Sequence, residues 1–142
     1  MINMINPGPQ YQDAIIAALR GDATLTAFLT TAEWTKRKVL TPPVPPGTPA
    51  PYITLADSTD SDRSFFAKDS RRGECFIHGW AMGRYDVLKL YQHLYRILHR
   101  NNLMMTDGLK MNLAQLEQTM MLEDPATEGL WHVVARHSAD FR

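Results

Sequence analysis

Histidine and cysteine side chains are the first candidates for chemistry in this sequence, because they bind metals and act as nucleophiles or bases near neutral pH. His78, His93, His99 and the only cysteine, Cys75, lie between Gly73 and Arg100. His93 and His99 are six residues apart, which places them about 120° apart on a helix, so they cannot share a metal ion. A strand turns the side chains of Cys75 and His78 to opposite faces. The spacing predicts no metal site, and it predicts ordinary surface or rim positions for the histidines.

Motifs for metal, phosphate or nucleophile chemistry do not occur in the sequence. The acidic run DSTDSD, residues 57–62, lacks the glycine and the distal glutamate of a calcium loop. The chain has no G-x-S-x-G, no phosphate-binding glycine loop and no H-E-x-x-H. Cys75 precedes Phe76 and Ile77, which favours a buried strand position over a nucleophile. We therefore expect a protein that is not an enzyme and needs no cofactor; an enzyme that uses Cys75 or a histidine is the least favoured alternative.

One basic and aromatic segment is a candidate binding site. Residues 57–73, DSTDSDRSFFAKDSRRG, are polar and rich in turn formers, which predicts a long hairpin loop with Phe65 and Phe66 at or near its tip. These phenylalanines either fold back over the core or contact a partner. Because loops on a rigid scaffold commonly carry binding function, the predicted partner contacts are Arg63, Phe65, Phe66, Lys68, Arg71 and Arg72.

The same loop could instead stack bases and hold phosphates. Asp60, Asp62 and Asp69 offset most of its positive charge, which favours a salt-bridged or protein-contacting loop. Fifteen basic and 15 acidic residues also cancel over the whole chain, so no global field attracts nucleic acid. A small nucleic-acid- or ligand-binding module that uses residues 63–72 is the alternative to a structural role.

Length and composition predict one domain. A chain of 142 residues can form one hydrophobic core, and a single cysteine cannot form an internal disulfide, which fits a reducing compartment. The first ten residues, MINMINPGPQ, lack the pattern of a secretion signal and predict a flexible arm, 1–10, before a single domain, 11–142. No apolar stretch approaches the length needed to span a membrane. The sequence predicts a soluble intracellular protein.

Two short helices and an edge strand are predicted before a proline-rich segment. The apolar residues of YQDAIIAALRG share one face from Tyr11 onward, and Gly21 is placed to end this helix with a left-handed cap. Asp22 can cap a second helix, ATLTAFLTT. Lys38–Leu40 predicts an edge strand. The next segment, residues 42–51, PPVPPGTPAP, predicts a semi-rigid extended surface connector, with a proline-rich docking ligand as the less favoured alternative.

The rest of the chain predicts strands and one long helix. Composition and alternation predict strands at 51–59, 74–82, 113–123 and 130–138, and Asp107-Gly108 predicts a turn. After Gly83, the apolar residues from Val87 to Leu98 occupy one half of a helix circumference. This order predicts an α+β fold, with a mainly antiparallel four- to five-stranded sheet and with the long helix and the N-terminal helix pair on one face.

The predicted sheet has more apolar surface than these helices can cover. Neither alternating set of the third strand is polar, since one set is Cys75, Ile77, Gly79 and Ala81 and the other is Phe76, His78, Trp80 and Met82. One long helix and a short pair cover one face of such a sheet. A neighbouring subunit is expected to cover the other face.

The order of these elements resembles the tail-completion, or tail-terminator, proteins of long-tailed phages and prophages. The matching segments are AIIAALRGDATLTAFL, PYITLADSTDSD, CFIHGWAMGRYDVLKLYQHLYRIL, a short L-x-x-x-D-G segment and two C-terminal strands. The resemblance covers about residues 11–139. The longer proline-rich connector and the KRK before it depart from the usual pattern, so the resemblance does not indicate which loop meets the tail tube.

This resemblance implies an α+β ring-forming protein, commonly hexameric, that caps the growing tail tube and joins tail to head without enzymatic activity. The implied partners are further copies of the chain, the tail tube protein and a head–tail connector protein. Neither a membrane nor specific nucleic-acid binding is expected. The implied location is the head-proximal end of the virion tail, and the host cytoplasm during assembly.

Overall fold

The computed structural model of the protein describes residues 8–31, 38–41, 44–55, 59–62, 71–105 and 110–141. These ranges contain three helices, α1 (Gly8–Arg20), α2 (Ala23–Leu29) and α3 (Arg84–Leu98). They also contain six strands, β1 (Val39–Leu40), β2 (Tyr52–Leu55), β3 (Thr59–Asp62), β4 (Arg71–Met82), β5 (Met111–Glu123) and β6 (Leu130–Phe141). None of these helices is long and apolar enough to cross a membrane.

The six strands form one sheet with the order β1-β2-β4-β6-β5, and β3 also pairs with β4. Only the β1–β2 pair is parallel; the other strand pairs are antiparallel. Strands β2 and β3 lie end to end beside β4, since β2 pairs with residues 77–80 and β3 with residues 71–74. The predicted α+β class and mainly antiparallel sheet are confirmed.

Two residues, Gly21 and Asp22, separate helix α1 from a capped second helix. The Asp22 carboxylate accepts a 2.9 Å hydrogen bond from the backbone N–H of Leu25, so Asp22 is the N-cap of α2 as predicted. Gly21 follows α1, but its φ is not among the positive values, which belong to Gly47, Gly83 and Gly129 among the described glycines. The predicted left-handed cap at Gly21 is therefore wrong, because the chain passes directly into the Asp22 cap.

Helix α3 buries the face that its apolar periodicity predicts. Its fully or nearly buried residues are Val87, Leu90, Leu94, Ile97 and Leu98. All of them except Val87 pack with α1 and with one face of the sheet, including Cys75 and Ile77 of β4 and Ala135 of β6. Val87 packs in a second cluster with Ala81 and Val133. All three described helices contribute to this core, which confirms that the helices lie on one face of the sheet.

Two predicted boundaries differ from the structure at the N-terminus and at the long hairpin. Helix α1 begins at Gly8, so residues 8–10 are helical instead of part of the predicted arm 1–10; proline is tolerated in a first helical turn. Within the predicted loop 57–73, residues 59–62 and 71–73 pair as strands β3 and β4. These residues are polar and give no alternating apolar pattern, so the sequence did not predict the pairing, which is made by backbone groups.

The proline-rich connector contains a turn in addition to extended backbone. The Thr48 hydroxyl donates a 2.7 Å hydrogen bond to the Pro45 carbonyl, and Gly47 lies at φ +83°. A left-handed residue at that position favours glycine. The prediction of a uniformly extended segment at 42–51 is therefore wrong at Pro45–Thr48.

Candidate interaction surface on the open face of the sheet

The face of the sheet that points away from the helices is called the open face. Cross-strand pairing arranges its side chains in rows, because residues opposite each other share a face. From one end of the sheet to the other, the rows are Tyr52–Trp80–His132–Leu122, Thr54–His78–Val134–Met120, Phe76–Arg136–Glu117, Glu74–Ser138–Gln115 and Arg72–Asp140–Asn112. The first two rows form an apolar and aromatic end, and the others form a polar end.

Aromatic rings stack across the first row. The Trp80 and His132 ring centroids are 3.7 Å apart with the rings 5° from parallel, and Tyr52 lies 6.0 Å from Trp80 on the other side. The next row is joined diagonally, because His78 Nδ1 lies 2.7 Å from His132 Nε2. One of these nitrogens donates a proton to the other, so the two imidazoles hold each other in fixed orientations.

Both histidines of this surface resist protonation. Burial lowers the pKa of His132 to about 4, with a further decrease from His78 and a partial offset from Asp124. Burial also lowers the pKa of His78. The apolar end of the open face is therefore uncharged at neutral pH, which suits contact with another apolar surface.

Arginines bridge the carboxylates at the polar end. Arg136 lies 2.9 Å from Glu117 and 4.0 Å from Glu74. Arg72 lies 3.9 Å from both Glu74 and Asp140. Exposed ion pairs stabilise a monomer little, but they fix the positions of charged groups on a surface. The polar end is thus an ordered pattern of charge.

Apolar side chains remain accessible to solvent at the aromatic end. Met120 and Leu122 of these rows are 41% and 37% exposed, and Met82, which pairs with Leu130 beyond the first row, is 51% exposed. In contrast, Thr54 and Val134 of the second row are each only 7% exposed. Clustered apolar exposure of this kind is typical of a surface that meets a partner.

The predicted contact residues fall mostly outside the described ranges. Arg63, Phe65, Phe66 and Lys68 are not among the residues that the structure describes. The backbone of Arg71 begins β4 and pairs with Asp62 and Phe141. Of the six predicted contact residues, Arg72 is the one whose side chain is described, and it lies in the polar end of the open face. The loop prediction itself stays a prediction.

The expectation of surface or rim histidines is wrong for one residue. His137 is fully buried on the helix-facing side, whereas His132, five residues earlier, lies on the open face. Tyr11 of α1 contacts the His137 ring, which fills a core position that sequence periodicity assigns to an apolar residue. The predicted divergence of Cys75 and His78 is confirmed, since Cys75 is fully buried and His78 points to the open face.

Chemical reactivity is low among the described residues. Burial raises the pKa of the Cys75 thiol to about 12, so almost no reactive thiolate exists at neutral pH. In the described ranges, no group of three or more histidine, cysteine or acidic side chains is arranged to hold a metal ion. What the geometry offers is a sheet surface with an apolar end and an ordered charged end.

Sequence reasoning identified the composition of this surface but not its rows. Alternation alone places Phe76, His78 and Trp80 on one face. The pairing of His78 with His132 depends on the register between β4 and β6, which are more than 50 residues apart in the chain. Alternation within each strand is consistent with His78 and His132 lying on the same face, but it does not say which residues of the two strands lie opposite each other.

Comparison with known proteins shows a similar fold among solved structures. No protein-family model matches the chain, and no curated protein matches it either. Among solved structures, the fold is similar to a chain from the virion of a native gene transfer agent particle, with a TM-score of 0.75 and 18% sequence identity. That similarity covers 94% of this chain and 95% of the other. The chain therefore has, over nearly its whole length, a fold that occurs in a virion.

Proposed function

We propose that this protein is a structural virion assembly protein, a tail terminator (tail completion protein) of a phage or prophage. In this proposal, copies of the chain close into a ring, commonly a hexamer in the proteins that the sequence resembles. The ring caps the tail tube and presents the surface to which the head joins. Its partners are further copies of itself, the tail tube protein and a head–tail connector protein.

The observation that carries this proposal is the likeness of the whole fold to a chain of a gene transfer agent virion. Because the likeness extends over nearly the full length of both chains, it concerns the complete domain and not a common supersecondary unit. The segments that resemble tail terminators in sequence support the same role independently. Neither the fold nor the segments supply a catalytic group, so we propose a protein without enzymatic activity.

The proposed mechanism is steric. A ring closes when each subunit contacts the next through a repeated, non-identical pair of surfaces. The open face provides one such surface, because its apolar end carries exposed Met82, Met120 and Leu122. A closed ring that stacks on the last ring of the tube covers the sites at which further tube subunits add, so polymerisation stops.

The two ends of the sheet have different proposed tasks. Residues 63–70 follow β3 and precede β4 in the sequence, and the proposed contacts for the tube or connector are Arg63, Phe65, Phe66, Lys68, Arg71 and Arg72. Loops that project from a rigid sheet suit such contacts. The proposed location is the head-proximal end of the virion tail, with assembly in the host cytoplasm.

Light scattering coupled to size-exclusion chromatography tests this proposal. The chain is measured alone and after mixing with the tail tube protein of the same phage or prophage, and the mixture is then imaged by negative-stain electron microscopy. We expect a closed ring of several subunits, alone or on the tube, and tubes of limited length when the protein is added during polymerisation. A chain that stays monomeric and does not change tube length under any condition contradicts the proposal.

Matched methionine variants connect the result to the open face. Met120 lies on the open face, whereas Met104, 94% exposed, lies outside it. Met120→Glu is expected to weaken assembly and Met104→Glu to leave it unchanged. Salt-sensitive binding to single-stranded DNA by a chain that never assembles would instead favour a nucleic-acid-binding module.

A further inference from the structure

Helix α3 exposes a second apolar surface on the other side of the molecule. Tyr85, Leu88 and Tyr95 are 69%, 38% and 44% exposed, and with the exposed Gln92 they form a ridge at intervals of three and four residues, here called the α3 ridge. This spacing places the four side chains along one side of a helix. The buried residues of α3 occupy the side that faces the sheet. The α3 ridge therefore points away from the sheet.

Positive charge surrounds the α3 ridge. Between Arg84 and Arg100 inclusive, the chain has four basic residues and one acidic residue. Arg96 is neutralised, because both of its terminal nitrogens lie 2.9 Å from the Asp22 carboxylate. Within the described residues, Arg84, Lys89 and Arg100 have no ion pair. Lys89 Nζ lies over the ring of Tyr85, 4.7 Å from its centroid, and Asp86 is the acidic residue in the first turn of α3. Three positive charges near the α3 ridge thus have no carboxylate partner among the described residues.

Negative charge surrounds the apolar end of the open face. Between Lys110 and Arg136, the chain has four acidic residues and no lysine or arginine. Two of them, Asp124 and Glu128, lie in the hairpin connection of β5 and β6, whereas Glu123 ends β5 opposite Trp131 on the helix-facing side. Asp124 accepts the backbone N–H of Ala126, and its charge acts on His132 and Tyr52 of the first row. Neither Asp124 nor Glu128 has an ion pair among the described residues, and we call these two residues the acidic rim.

We propose that the α3 ridge of one copy docks on the apolar end of the open face of the next copy, with Arg84 and Lys89 directed at the acidic rim. A sheet face without a helical cover is completed by a helix, and the opposite charges of the two rims select the orientation. Aromatic and apolar groups at the centre with charges at the edge are the usual anatomy of a protein interface.

The position of the two surfaces on opposite layers allows a head-to-tail contact, which is the kind of contact that can close into a ring. The α3 ridge lies on the helix layer and the open face lies on the sheet layer, so one molecule cannot join its own two surfaces. Each copy therefore offers one surface to the copy before it and the other to the copy after it, and this head-to-tail contact closes when the rotation is right. The inference rests on the proposed ring and names its contact.

Charge reversal on each surface tests the contact. One variant, Arg84→Glu with Lys89→Glu, reverses the ridge charges; the other, Asp124→Lys with Glu128→Lys, reverses the acidic rim. Each variant alone is expected to associate at least about tenfold more weakly than the wild type, because like charges now meet. An equal mixture of the two is expected to recover assembly, since each ridge then meets an opposite rim on the other variant. Sedimentation velocity measures all four samples.

The controls separate folding from contact. Asp13→Lys and Lys110→Glu reverse exposed charges outside both surfaces and are expected to assemble normally. If a reversal variant fails to fold, Leu88→Ser tests the same surface in its place. It removes apolar area from the α3 ridge without changing charge, and it is expected to weaken assembly. If folded reversal variants assemble like the wild type, or if their mixture does not recover assembly, the proposed contact is wrong. Neither result contradicts the ring proposal itself. If the wild type itself never assembles, the ring proposal fails first.

Discussion

The Tyr11 hydroxyl of α1 lies 2.5 Å from Nδ1 of His137 in β6, and 2.9 Å from the His137 carbonyl, although the two residues are 126 positions apart. Both side chains are essentially inaccessible to solvent. Burial raises the pKa of Tyr11 far above its usual value of 10, with smaller increases from Cys75 and Glu74, so the hydroxyl stays protonated and can donate. This pair fastens the N-terminal helix to the centre of the sheet.

The first prediction concerns this hydroxyl. Tyr11→Phe keeps the ring that packs on Phe141, 4.7 Å away between centroids, but it leaves His137 without its partner. Because a buried polar group then loses its hydrogen bond, we expect the free energy of unfolding in urea to fall by about 1–3 kcal/mol. Tyr85→Phe is the matched control, since Tyr85 is 69% exposed. Equal stabilities of Tyr11→Phe and the wild type would show that the hydrogen bond contributes nothing net.

A second prediction concerns the pH dependence of stability. Burial lowers the pKa of His137 from 6.5 to about 4, helped by His99 and partly offset by the Leu98 carbonyl. Between these values the unfolded chain binds more protons than the folded protein, so stability is complete above pH 6.5 and decreases as the pH falls toward 4. From pH 6.5 to 5, the loss is expected to reach about 2 kcal/mol for this residue alone.

Histidine variants check this slope by urea unfolding at several pH values. His137→Asn keeps a side-chain acceptor for Tyr11 but removes the imidazole that titrates. We expect its stability at pH 7 to fall and the dependence of its stability on pH between 6.5 and 5 to become flatter. His132→Asn serves as the comparison and is expected to flatten the slope less, because His132 is only half-buried on the open face. An unchanged slope in His137→Asn contradicts the assignment.

The sequence predicted those elements in which the spacing of apolar side chains shows which side of the element is buried. In α3, apolar residues repeat with the helical period, so the buried face from Val87 to Leu98 could be identified without coordinates. In β4, alternation separated Cys75 from His78 correctly. These patterns are local, and burial on one side of an element is enough to produce them.

Contacts between distant segments could not be predicted in the same way. Thr59–Asp62 pairs with Arg71–Glu74 through backbone groups, and its polar side chains gave no alternating signal. His137 occupies a core position only because Tyr11 reaches it from α1. The rows of the open face depend on the register of β4 with β6, which periodicity leaves undetermined. Composition therefore indicated a sheet face that none of the three described helices covers, while its aromatic and charged ends required the structure.

A third prediction concerns the junction of α2 and α3. Asp22 caps α2 through the Leu25 N–H and also pairs with Arg96 of α3. The hydrogen bonds from Arg96 and from Leu25 lower the pKa of Asp22 to about 2. Asp22→Ala removes both interactions and is expected to lower the free energy of unfolding by about 1 kcal/mol, chiefly through the lost cap.

Asp22→Asn separates the two interactions, because asparagine retains a capping oxygen but has no charge. We expect it to cost much less than Asp22→Ala, since Arg96 is exposed and the ion pair is screened by solvent. Both variants are measured by thermal and urea unfolding at about 0.05 M and about 0.5 M salt, because the higher concentration screens the ion pair. If Asp22→Asn costs as much as Asp22→Ala, the ion pair and not the cap holds this junction.

The fourth prediction concerns the closest approach of α3 to the sheet. A Cβ atom added at Gly79 would lie 2.7 Å from Leu90 Cδ2 and 2.9 Å from Val133 Cγ1, distances that a folded core does not accept without movement. Gly79→Ala is therefore expected to lower the free energy of unfolding by about 1–3 kcal/mol. The missing side chain at Gly79 is what lets Leu90 seat α3 against β4.

A double-mutant cycle decides whether crowding against Leu90 is the cause. Leu90→Ala alone opens a cavity and is expected to cost about 2–5 kcal/mol. If the methyl group of Gly79→Ala occupies part of that cavity, the double variant is more stable than the sum of the two single losses predicts. Strict additivity would instead mean that the strain comes from the β4 backbone or from Val133, and that α3 does not depend on the glycine for its position.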